Sequence, residues 1–77
     1  MREWLKSLRI EKGYTQKALG AKLGISESYY CSIENGERQK KMDMFLVSGL
    51  SSILGTSVTR IIQMEKDYQA NLGDHKE

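Results

Sequence analysis

The sequence predicts an all-α domain of five short helices, on three observations. Wherever a period is readable, the apolar residues recur at three- and four-residue spacing, the repeat of a helix face rather than the alternation of a strand. Glycines and small polar residues divide the chain into five short segments. At 77 residues, the chain holds one domain at most and buries only a modest core.

The first helix spans residues 2–12, with Leu5 and Leu8 three apart, Trp4 beside them and Gly13 as the stop. Thr15 caps the second, whose apolar positions are Ala18, Leu19 and Leu23, and Gly24 ends it. Ser26 caps the third. Its buried face is Tyr30 and Ile33, helped by Tyr29, and Asn35-Gly36 supplies a left-handed stop. Residues 37–42 are polar and basic with nothing to bury, which predicts an exposed loop. Asp43 caps the fourth helix, where Met44, Val47, Leu50, Ser51 and Leu54 form one stripe before Gly55. Ser57 caps the fifth, with Val58, Ile61 and Ile62 on its apolar face and an end at Met64 or Glu65. Periodicity is lost from Asp67, so the expectation is a folded domain over 1–66 and a flexible tail over 67–77.

Composition narrows the function classes. The single Cys31 excludes an intramolecular disulfide, and no Cys and His cluster offers a zinc site. The longest apolar runs, such as Met44 to Val47, fall far short of the roughly 18 residues of a spanning helix, and no signal sequence opens the chain. A cytoplasmic protein is expected, with no membrane partner. Cys31 has no neighbouring histidine to activate it, and His75 stands alone near the end. With no nucleophile–base pair, metal spacing or glycine-rich phosphate loop, neither an enzyme, a cofactor nor a small-molecule ligand is expected. Residues 1–41 carry nine basic side chains against five acidic ones, whereas 42–77 carry three against five. That asymmetry points to an anionic partner for the first half, or to nothing more than a solvated mixed surface.

The second and third helices carry the sharpest signal. Only Gly24 and Ile25 separate Leu23 from the capping Ser26, so the two helices turn on each other in the manner of a helix-turn-helix. Gly20, one turn into the second helix, allows their backbones to approach closely, at roughly 0.5–1 kcal/mol of lost helix propensity. These residues, with Leu5-Lys6-Ser7-Leu8-Arg9, Gly13-Tyr14-Thr15-Gln16, Ile33-Glu34-Asn35-Gly36-Glu37-Arg38 and Leu54-Gly55-Thr56-Ser57-Val58, resemble the phage-repressor and Cro type of DNA-binding protein, the Xre-like family. The resemblance covers about residues 4–65. Three positions depart from the family pattern: Gly20 replaces an alanine, Met42 a proline before the fourth helix, and Cys31 a serine. The missing proline predicts a more mobile basic loop.

The resemblance implies a compact five-helix, lambda-repressor-like domain whose third helix enters the major groove while the second lies across the backbone. Glu27, Ser28, Tyr29 and Ser32 are then the base-contacting candidates. Glu27 either accepts from a cytosine amino group or simply stabilises the helix N-terminus. Gln16, Lys17, Asn35, Arg38, Lys40 and Lys41 are the backbone-contacting candidates, and Arg9 with Glu34 resembles the family's structural ion pair. The implied function is a sequence-specific regulator of transcription, a repressor binding a palindromic or pseudo-palindromic operator. It would act as a homodimer through the fourth and fifth helices, where Phe45, Leu46, Ile53, Ile62 and Met64 exceed what an inner face needs. The competing reading is a protein-interaction module, such as an antitoxin-like partner, whose DNA binding is secondary or lost.

Overall fold

The structure, a computed structural model, describes residues 1–74 and contains five helices and no strand among them: α1 (Glu3–Glu11), α2 (Gln16–Leu23), α3 (Glu27–Asn35), α4 (Met44–Leu54) and α5 (Val58–Asp74). Four of the five starts are made by side-chain caps. Thr15 Oγ1 accepts from the Ala18 amide at 3.0 Å, Ser26 Oγ from Tyr29 at 3.0 Å, Asp43 Oδ1 from Leu46 at 2.7 Å and Ser57 Oγ from Arg60 at 3.1 Å. α1 begins differently, with the Arg2 amide donating at 2.7 Å to the Glu34 carbonyl at the end of α3.

Leu5, Leu19, Tyr30, Ile33, Val47, Leu50, Leu54 and Ile61 form the buried core, so every helix contributes at least one side chain. α2 and α3 pack most closely, and Gly20 is the reason: a Cβ there would lie 3.3 Å from the carbonyls of Ile25 and Ser26 and 3.4 Å from Tyr30 Cβ. Gly24 takes φ +78° to make the turn between them.

Three expectations from periodicity are corrected. Met44 is 84% exposed, and the inward stripe of α4 is Val47, Leu50 and Leu54. Val58 and Ile62 are likewise exposed, leaving Ile61 as the inward apolar residue at the start of α5. The helical pattern does not end at Asp67: α5 continues to Asp74. The inward stripe runs Ile61, Glu65, Tyr68, and the charged Glu65 interrupts the apolar repeat although it is itself buried. His75 lies outside the described residues.

The basic loop is also more tightly held than its composition predicts. Met42 packs against the core, and Gln39, with φ +55°, donates to the Tyr29 hydroxyl at 3.1 Å and accepts from the Asp43 amide at 3.0 Å.

Candidate nucleic-acid interface

The turn of α3 separates two faces. Tyr30, Ile33 and Glu34 point into the core, while Ser28, Ser32 and Asn35 fall at i, i+4 and i+7 on another side. Glu27, Ser28 and Asn35 are exposed and Ser32 is half-buried. The Ser32 carbonyl accepts from the amides of Glu37 at 2.9 Å and Arg38 at 3.2 Å, which turns the chain sharply from the end of α3 into the basic loop. Arg38, Lys40 and Lys41 are exposed there, as is Lys17 on α2. Tyr29 is half-buried, with its ring against the core and its hydroxyl engaged by Gln39.

Behind this surface lies a buried polar network centred on Glu34. Arg9 Nε donates to Glu34 Oε2 at 2.7 Å and Arg9 Nη2 to Oε1 at 3.4 Å. Tyr30 donates its hydroxyl to Oε2 at 2.7 Å, and Gln16 Nε2 donates to Oε1 at 3.1 Å. Cys31 Sγ lies 3.2 Å from Gln16 Oε1, in hydrogen-bonding range. Burial acts to raise the Glu34 carboxyl, but the hydrogen bonds from Arg9, Tyr30 and Gln16 outweigh it and hold the group below the usual carboxylate range. The hydrogen bond to Glu34 keeps Arg9 firmly protonated. Burial, reinforced by Glu34, pushes the Tyr30 phenol well above its usual range. Ionised carboxylate and neutral phenol therefore coexist throughout the neutral range, and the network fixes α3 against α1 and the start of α2.

A second buried cation is absent from the sequence-based site. Arg2 is fully buried, with Nε and Nη2 each donating at 3.0 Å to the Glu65 carboxylate and Nη1 donating at 2.6 Å to the Ile33 carbonyl. Trp4 Nε1 donates to the same carboxylate at 3.2 Å. Arg2 and Arg9 thus contribute nothing to the positive surface of the first half, which rests on lysines and Arg38. Sequence reasoning missed Arg2, Glu65, Gln39 and Gln69. The available signal was Glu65 itself, a charge standing where the α5 stripe calls for an apolar residue.

At the start of α4, Phe45 and Met44 are 91% and 84% exposed. Met44 borders a groove of about 280 Å³ between α4 and α5, lined also by Met42, Val47, Val58 and Ile62. Among the described residues, no group of three or more His, Cys, Asp and Glu side chains is placed to hold a metal ion, and no single helix is long and apolar enough to cross a membrane.

A helix-turn-helix family model matches residues 5–46. The chain is 49% identical over 39 residues to a protein of Bacillus subtilis (strain 168) described as the uncharacterized HTH-type transcriptional regulator YqaF. That match covers 51% of this chain and 51% of the relative, so the chain spans about half the length of the curated relative it matches. No solved structure matches the chain.

Proposed function

The chain belongs to the helix-turn-helix family, of the Xre-like type with a lambda-repressor-like fold, and from that premise we propose that it is a cytoplasmic, sequence-specific double-stranded-DNA-binding regulator of transcription. In this reading it is a repressor that acts as a homodimer on a palindromic or pseudo-palindromic operator. The observation that carries the reading is the set of exposed polar and basic side chains on α3 and on the loop that follows it. The polar stripe of α3 is followed in the chain by the exposed Arg38, Lys40 and Lys41, while Arg2 and Arg9 are turned inward.

α3 lies in the major groove, where Ser28 and Ser32 donate to or accept from base edges and Glu27 accepts from a cytosine amino group. Tyr29 presents its ring edge beside them. Lys17, Asn35, Arg38, Lys40 and Lys41 contact phosphates and set the register. Gln16 joins them through its amide: one hydrogen is given to Glu34, and the second is left for a phosphate oxygen. The exposed Phe45, Met44 and Ile62 form the surface through which α4 and α5 meet a second copy, while Leu46, Ile53 and Met64 are partly buried against the core.

Selection of bound sequences from random duplex DNA at physiological salt tests the reading. Enrichment of a two-fold motif with half-sites roughly 34–36 Å apart is the expected outcome. Absence of duplex binding at low salt, together with stoichiometric capture of a protein partner, would favour the protein-interaction alternative instead.

A further inference from the structure

Three successive carbonyls of the basic loop are held by side chains from outside it. Arg2 donates to the Arg38 carbonyl at 3.1 Å and makes a close contact with that of Gln39, while Gln69 Nε2 donates to the Lys40 carbonyl at 2.5 Å. Glu65 links the two donors, since its carboxylate accepts from Arg2 and, at 2.8 Å, from Gln69. Arg2 is fixed in turn by the Ile33 carbonyl and by the Tyr68 ring, whose centroid lies 5.3 Å from the guanidinium carbon. The side chains of Arg38, Lys40 and Lys41 remain exposed, so this network grips the loop's backbone and leaves its cations in solvent.

We propose that Arg2, Glu65 and Gln69 are positioning residues for DNA binding: by holding the 38–40 backbone from α5 and the start of α1, they present Arg38, Lys40 and Lys41 to the phosphates as a preformed set. The proposal rests on the reading of this loop as phosphate-contacting. A loop ordered only on binding loses conformational entropy at that moment, which weakens the complex; one ordered beforehand does not. A buried ion pair is often replaceable by apolar packing without loss of stability, so stability alone gives little reason for a charge here. An apolar side chain, however, holds no carbonyl. The pair's donors reach three parts of the structure that a methionine at residue 2 would leave untied: the end of α3, the loop and α5.

The test uses Gln69→Ala, because Gln69 sits at the edge of the network and substitution of Arg2 risks the fold. Amide hydrogen exchange is measured in the free protein, and affinity for a random-sequence duplex is measured as a function of salt. Loop amides over 38–42 should exchange roughly two- to tenfold faster, the range that one hydrogen bond's net contribution spans, while α3 and core amides keep their protection. Duplex affinity should fall by a similar factor. Gln69→Lys, which retains a donor, should restore loop protection. Unchanged loop exchange, or a uniform rise across the whole domain, overturns the proposal, as does a loosened loop with unchanged affinity. A wild-type protein that binds no duplex at low salt refutes the DNA reading itself and, with it, the positioning role; loop exchange separately reports whether the network holds the backbone.

Discussion

Glu34 is a fully buried carboxylate satisfied by four donor contacts, two from Arg9 and one each from Tyr30 and Gln16. Removing Arg9 leaves that charge uncompensated, so Arg9→Ala should cost about 3–5 kcal/mol in urea denaturation, and Glu34→Ala a comparable amount. The two losses should be strongly non-additive in a double-mutant cycle. Because the folded Glu34 carboxyl is held below its unfolded value of 4.5, its stabilisation is fully present above about pH 4.5 and is lost as pH falls through the folded value. Tyr30 runs the other way. Its folded phenol is raised above the unfolded 10.0, so its contribution is fully present below about pH 10 and is lost as the solution becomes more alkaline. Stability measured against pH should show both limbs, with Glu34→Gln flattening the acid one and Tyr30→Phe the alkaline one.

At the scale of the element, α5 is the helix whose extent departs most from its local pattern. Its later turns are held by contacts rather than by an apolar stripe: Tyr68 lies beside Arg2, and Gln69 bonds Lys40 and Glu65. Gly36, the left-handed stop of α3, reports on this packing, because a Cβ there would collide with the Tyr68 hydroxyl. Gly55 stops α4 with a similar positive φ but faces open space. Gly55→Ala should therefore cost about 1–2 kcal/mol from backbone strain alone, and Gly36→Ala measurably more. Equal losses in parallel thermal melts would show that the Tyr68 hydroxyl moves aside at no measurable cost.

At the scale of the whole molecule, exposed basic and exposed apolar side chains are neighbours: Phe45 lines a groove with Lys22, Tyr29 and Gln39, and Ile62 one with Lys41 and Lys66. If affinity comes from Arg38, Lys40 and Lys41 meeting phosphates, binding should weaken steeply with salt, and Lys40→Ala should reduce the log–log slope by about 0.9. Anisotropy titrations across a range of salt concentrations check this; salt-insensitive binding would reject the phosphate clamp. Phe45 is 91% exposed, so Phe45→Glu should leave stability within about 0.5 kcal/mol of the parent. It should nonetheless shift sedimentation of the protein on operator DNA from two copies to one.

The starts and stops of the helices were legible from the chain because they are local. Thr15, Ser26, Asp43 and Ser57 each cap an amide three residues ahead, and the two-residue turn between α2 and α3 needs only Gly24 and a glycine at the crossing. So were the core of α3 and the family the chain belongs to. The polar stripe of α3 and the basic run after it could also be read from spacing alone. Long-range partnership decided the rest. Arg2 read as one more surface cation, yet it is buried through a carboxylate 63 residues away, on a helix that runs on past Asp67 and bonds the basic loop through Gln69. Periodicity says which residues share a helix face but not where a neighbouring element ends. That is why Met44 and Ile62 lie outside the core that the pattern assigned to them, while the charged Glu65 lies within it.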